Sequence, residues 1–289
     1  MSVPIGMVIP PRLGAQGIEA VAAWASQLGL GALDLPEDFA AGAQACRAHG
    51  LRVGAVQGSG QTRLLSRDEG QRAEAVARLL GLVRAMPAAG ARILFLCVYP
   101  EDNAQPLADS LAIFRETFPA IATVCEQSGV RVVFEGWPGP APHYPTLGCT
   151  PEVLRAMFAA APSPAFGVNY DPSHLVRLGI DYLRLLDEFK DRIYHCHGKD
   201  TALLPEARYQ YGRRPPALSK PASFSGGAWR YCVPGDGVVD WGQVAYALHQ
   251  AGYAGCVSIE LEDARYWGSL EDEQAGLAKA YQHLARHFG

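Results

Sequence analysis

A single (β/α)8 barrel is the fold class this sequence predicts, on three observations. Eight apolar or β-branched runs of strand length recur along the 289 residues. Stretches of helical period lie between them, giving the β-then-α order of a parallel barrel. The turn after the first run, "GMVIPPRLG", has prolines where a doubly wound nucleotide-binding sheet carries its glycine-rich phosphate loop. The chain shows no linker, low-complexity tract or sequence repeat, so one domain spanning residues 1–289 is expected.

The expected strands are, in order, "PIGMVI", "ALDL", "RVGAVQ", "RILFLCVY", "RVVFEG", "FGVNYD", "RIYHCHGKD" and "CVSIELE". Gly, Pro or Asp bounds each of them and interrupts strand geometry there. "GIEAVAAWASQLG" follows the first as a helix. "DEGQRAEAVARLLGLVRAMPAAG" and "PLADSLAIFRETFPAIATVCEQSG" flank the fourth. "TPEVLRAMFAAA" follows the fifth, with Thr150 as N-cap and Pro151 at the first helical position, where no N–H is needed. "VDWGQVAYALHQAGYAG" runs to a stop at Gly252, and "EDEQAGLAKAYQHLARHF" closes the chain. The connection at about 200–238, after strand seven, is far longer than an ordinary loop and reads as functional. Its aromatics, Tyr209, Tyr211, Phe224, Trp229 and Tyr231, argue for packing rather than disorder.

Composition narrows the function. Hydrophobic residues make up 49% and charged residues 19%, with a net charge of −4, which favours neither nucleic acid nor an anionic membrane surface. No apolar run reaches the roughly 20 residues that cross a bilayer, and the N-terminus lacks a secretion signal. Seven cysteines without a CxxC pair, among them Cys97, Cys196 and Cys256 in apolar runs, read as buried thiols in a reducing cytoplasm.

Barrel chemistry sits at the C-terminal ends of the strands. Strand five ends at Glu135, strand six at Asp171 and His174, strand seven at His195, His197, Lys199 and Asp200, and strand eight at Glu260, Glu262 and Asp263. The first four strand ends offer Gln57 and the Asp34/Glu37/Asp38 cluster. Strand side chains alternate faces, so His195 and His197 share one, His197 nearer the mouth and His195 a layer deeper. Glu135, Asp171, His197 and Glu260 therefore converge from four consecutive strands. Three carboxylates and one imidazole suit Mn²⁺ first, with Mg²⁺, Co²⁺ or Zn²⁺ as alternatives. Each residue alone is more often a solvated or hydrogen-bonded structural group. Carboxylates on adjacent strands repel one another, however, and a divalent cation removes that cost. Lys199 is the one nearby competitor for that task.

In "FEGWP", "NYDPSHLVRLGID", "RIYHCHGKD", "WRYCVPGDGVVDW" and "AGYAGCVSIELED" the chain resembles the xylose isomerase-like barrel superfamily, the sugar phosphate isomerase/epimerase group. The resemblance is strongest over about 130–262. It implies the same four metal ligands, with Glu135 and Glu260 also forming the acid/base pair and His174 contacting substrate. Epimerases of this group carry a substrate-contacting arginine just after the strand-seven histidine. Here the stretch reads "HGKDTALL", and Lys199 or Arg230 takes that part. Trp137 is a candidate pocket wall and His195 a further substrate-side residue. Trp229, Arg230 and Tyr231 in the long loop form a candidate lid, whose other use is a contact in a homo-oligomer, a dimer or tetramer.

The expected reaction is metal-assisted removal of a proton next to a carbonyl of a small keto-sugar or inosose. Return of the proton gives epimerisation or isomerisation. Loss of a β-oxygen gives the alternative, a dehydratase or lyase on a keto-sugar, inosose or 3-keto-glycoside. An endonuclease IV-type activity needs a basic DNA-binding face that this acidic chain lacks. A non-catalytic sugar-binding barrel is the remaining alternative.

Overall fold

The computed structural model describes residues 3–289. Seven strands, β1 (Ile5–Val8), β2 (Ala32–Leu35), β3 (Arg52–Gln57), β4 (Ile93–Leu96), β5 (Arg131–Glu135), β6 (Phe166–Tyr170) and β7 (Ile193–Gly198), are followed by β8 (Asp200–Leu203), β9 (Trp229–Cys232) and β10 (Val257–Ile259). β1 to β7 and β10 close into one parallel barrel in the order β1-β10-β7-β6-β5-β4-β3-β2, so all eight expected strands are found. The expected helices are found at Ile18–Leu28, Glu69–Ala85, Leu107–Ser128, Pro151–Ala160, Trp241–Gln250 and Leu270–Phe288. Thr150 caps its helix by accepting from the Val153 N–H at 3.3 Å.

Helices without a sequence expectation include Ala40–Ala48, Pro172–Leu178 and Tyr182–Phe189. The first, "AAGAQACRA", is short and has no large aliphatic or aromatic side chain to mark a buried stripe. The other two are short. Aromatic packing locks the helical layer to the barrel wall: Phe114 and Phe118 stack at 3.9 Å, and Phe134 and Phe166 meet edge-on at 5.4 Å. All four are fully buried, each removing a large apolar area from water.

The long connection is not a loose loop. β8 and β9 pair antiparallel, and a short helix, Pro205–Tyr211, lies between them. One carboxylate fastens the base of this hairpin. Asp200, fully buried, accepts from the backbone N–H groups of Thr201 (2.8 Å), Val239 (3.0 Å) and Gly235 (3.2 Å) and from the Trp241 indole (3.2 Å). Gly237 passes so close that a β-carbon there would lie 2.0 Å from Asp200 Oδ1. Asp200 therefore belongs to the hairpin's anchor rather than to the barrel mouth.

Candidate active site

Strand register assembles the site. β5 and β6 align Glu135 with Asn169, and β7 and β10 align His197 with Ser258. Glu135, the last residue of β5, is buried, and the Asn169 amide donates to its Oε2. Asp171 follows β6 and caps the helix Pro172–Leu178, with Oδ1 accepting from the Ser173 N–H at 2.8 Å. The cap fixes the carboxylate so that Oδ2 faces the mouth. One turn on, His174 is also buried, and its Nε2 lies 3.0 Å from Glu135 Oε1 and 3.3 Å from Asp171 Oδ2.

His197 is the centre of the group. Its Nδ1 lies 3.3 Å from Glu135 Oε2, 3.4 Å from Glu260 Oε2 and 3.9 Å from Asp171 Oδ2. The ring stacks on Phe95 at 5.2 Å. The four residues expected to converge thus do so. Lys199 enters the same cluster, wholly buried. Its ammonium contacts Glu260, lies 3.1 Å from Asp171 Oδ2 and 3.0 Å from Glu262 Oε2, and sits 4.8 Å over the Tyr231 ring.

Electrostatics pull the two glutamates apart. Burial raises the Glu135 carboxyl above the usual carboxylate range, against the opposing pull of His197. Burial would raise Glu260 too, but the Lys199 ammonium and His197 outweigh it and hold Glu260 well below that range. His174 is pushed down to about 3 by burial and by the neighbouring Lys199, so it is a neutral imidazole. Paired carboxyls with opposed tendencies are the arrangement acid–base chemistry uses.

The site fits a divalent cation. Glu135 Oε1, Asp171 Oδ2 and His197 Nδ1 are buried and lack hydrogen-bond partners among the described residues. One ligand atom from each of these residues falls within a common 4.8 Å, and Asp171, His174 and Glu260 form an overlapping set. Buried orphaned acceptors are costly, and a cation satisfies them. Lys199 does not suffice: one ammonium faces the carboxylates of Glu135, Asp171, Glu260 and Glu262. A third group, Asp34, His195 and Cys256, lies deeper in the barrel and is of a different kind. Asp34 accepts from His195 Nε2 (2.8 Å), Ser258 Oγ (2.9 Å) and the Ala55 N–H (2.9 Å), so its oxygens are already satisfied.

That network corrects one expectation. His195 does share a face with His197, but its ring is spent on Asp34 below and makes no wall of the acidic mouth. Glu37, grouped with Asp34 in the sequence, lies apart from it and pairs with Ser59 and Arg78. Arg230 also misses the cluster. Its Nη1 lies 3.6 Å from Asp263 Oδ2, because strand alternation turns it away from the face that carries Tyr231. Trp137 is half-buried and meets Tyr99 edge-on at 5.5 Å, beside the strand end that carries Glu135.

Three participants were not expected. Asn169 shares its strand face with Asp171, and alternation alone could have found it. Tyr231, noted only as a lid aromatic, places its hydroxyl 2.6 Å from His174 Nδ1. Arg177 donates to that hydroxyl at 3.1 Å and lies 4.5 Å over the Trp229 ring. The hairpin is thereby latched onto the site. No local signal marks Tyr231 for this role, since it is 57 residues from His174 in sequence.

The chain is thus a closed parallel barrel with buried Glu, Asp and His groups at its C-terminal mouth that could hold a divalent metal. The family model described as xylose isomerase-like TIM barrel matches residues 12–287, and the chain belongs to that family. It is 28% identical over 165 residues to the inosose dehydratase of Geobacillus thermodenitrificans, an alignment covering 54% of this chain and 51% of that protein. The chain thus spans about half the length of that curated relative. Among solved structures, L-ribulose 3-epimerase superposes with a TM-score of 0.71 at 15% identity, covering 99% of this chain and 94% of that one. The IOLI protein, solved with a zinc atom bound, gives 0.72 at 14% identity, covering 99% of each chain. At these identities the superpositions speak for the fold alone. Among the described residues no helix is long and apolar enough to cross a membrane.

Proposed function

We propose that this protein is a divalent-metal-dependent isomerase or epimerase of a small keto-sugar or inosose, acting by proton transfer next to a carbonyl. One observation carries the reading: Glu135 and Glu260 reach the mouth from β5 and from beyond β10 and meet the same buried imidazole nitrogen at 3.3 and 3.4 Å. Glu135, Asp171, His197 and Glu260 would hold the metal, which when bound supplies Lewis-acid polarisation of a carbonyl. Glu260, kept ionised by Lys199 and His197, is the base that takes the carbon-bound proton. Glu135, which meets the same His197 nitrogen from β5, is its acid/base partner and returns a proton to the carbon. His174, held neutral, donates to or accepts from a substrate hydroxyl, and Tyr231 fixes its tautomer and angle. The hairpin excludes water from the mouth.

A second reading is favoured by Lys199. Its ammonium is wholly buried beside Glu260 and is placed to protonate a departing hydroxyl, which turns the same first step into dehydration. The inosose dehydratase relative points the same way. The two outcomes separate in one experiment, with free ketoses, inososes and 3-keto-glycosides incubated with the metal-loaded protein. A product of unchanged mass and altered stereochemistry or carbonyl position is the expected result. Loss of one water or of an aglycone would move the assignment to the lyase. A panel returned wholly unchanged, with sugars bound, would leave a binding barrel and overturn both.

A further inference from the structure

A cavity of about 640 Å³ opens at the opposite, N-terminal end of the barrel. It is within the size range of small-molecule sites and is separate from the acidic mouth. Arg52, Arg92, Arg131 and Lys190 line it, with one carboxylate, Asp191. On a chain of net charge −4 this is a strong local concentration of positive charge. Lys190 is paired with Asp187 at 3.0 Å. The three arginines are not so paired. The arginine ion pairs among the described residues are made elsewhere, by Arg63, Arg67, Arg78, Arg155, Arg230 and Arg265.

Their placement follows from the sheet. Arg52 opens β3, Arg131 opens β5, and Arg92 immediately precedes β4. The Arg131 N–H donates to the Arg92 carbonyl at 2.8 Å, and Ile93 is the residue level with Arg131, so the two arginines stand on adjacent strands one residue out of register at the same end of the barrel. Arg131 stacks on Tyr194 at 4.1 Å, which holds its plane while leaving its N–H edges free. Arg92 gives one N–H to the Ser128 carbonyl at 3.1 Å, which orients the rest. Like charges gathered around one cavity repel one another, and a multiply charged oxyanion removes that cost while matching the planar guanidinium forks. The floor beneath them is closed: His195 and Cys256 border the cavity, and His195 is committed to Asp34. Recognition therefore falls to the rim.

We propose that the N-terminal mouth is a second binding site, for a phosphate-bearing small molecule, held by Arg52, Arg92 and Arg131. The site lies at the far end of the barrel from Glu135 and Glu260, so its ligand is an effector rather than the substrate. The probe is inorganic phosphate, titrated into the full chain at low ionic strength by calorimetry. One phosphate is expected to bind. Arg92→Ser and Arg131→Ser should each weaken it roughly tenfold or more, as the loss of a charge-assisted hydrogen bond does. Arg115→Ser, which removes an exposed arginine elsewhere, should leave affinity unchanged, and so should His197→Ala at the acidic mouth. Equal weakening by Arg115→Ser would mean diffuse attraction, and loss in His197→Ala would mean binding at the other mouth. Either result, or no saturable binding, overturns the proposal. On the unaltered chain, phosphate should shift the side-chain NMR signals of Arg52, Arg92 and Arg131, each assigned by the signal that its own Arg→Ser substitution deletes. Shifts confined to other arginines would also overturn it.

Discussion

Glu260→Gln and Glu135→Gln are each expected to lower turnover by at least ~10³ on the true substrate, the usual scale of a lost acid or base together with impaired metal chemistry. Glutamine keeps the size and hydrogen-bonding capacity of the side chain but not its charge or its proton. At Glu260 the loss is sharpest, because the Lys199 ammonium beside it holds that carboxylate ionised. At Glu135 glutamine still accepts from Asn169 and so preserves the packing while removing the proton source. Steady-state kinetics at saturating metal check both. Metal-replete variants with near-normal rates would refute the roles assigned to these residues.

His197→Ala is expected to weaken Mn²⁺ binding by more than the ~10–100-fold typical of removing an outer partner of a metal ligand. His195→Ala is expected to stay at or below that range, since His195 touches Asp34 and Cys256 rather than the orphaned carboxylate oxygens. Its cost appears in stability instead. Removing the imidazole leaves the buried Asp34 carboxylate without its charged partner, a loss of about 3–5 kcal/mol for a broken buried pair. Burial would lower the His195 pKa, but the adjacent Asp34 outweighs it and holds the imidazole well above its ordinary value. Metal titration and thermal unfolding, measured on both variants, separate the two histidines. Equal losses of metal affinity would show that the wrong imidazole had been assigned.

Much of this site was legible because barrel topology converts strand ends into neighbours. Glu135, Asp171, His197 and Glu260 each end an apolar run, and alternation together with the βα order brought them to one mouth without any coordinates. The same logic ranked His197 above His195. What it lacked was depth: a histidine one layer down the barrel is lost to an aspartate from β2, and Asp34 gives no sign in "ALDL" of reaching across the interior. Gly54 makes that reach possible, since a β-carbon there would lie 2.2 Å from Asp34 Oδ1. The hairpin residues were hidden for another reason. Tyr231 meets His174 only because Asp200 gathers the ends of a forty-residue excursion, and such long-range closure leaves no local pattern. Helix Ala40–Ala48 escaped because its nine residues carry no large apolar side chain, only alanine, glycine and one cysteine, to mark its buried face.

The most direct test of proton transfer at this mouth is hydrogen–deuterium exchange at the carbon next to the carbonyl. Proton NMR in D₂O would follow the Mg²⁺-loaded protein, with Glu260→Gln and a chelator-treated sample beside it. The account predicts deuterium at that carbon in an otherwise intact or epimerised sugar, with exchange lost in both controls. Exchange that persists undiminished in Glu260→Gln, or turnover of the sugar without any exchange, would contradict it.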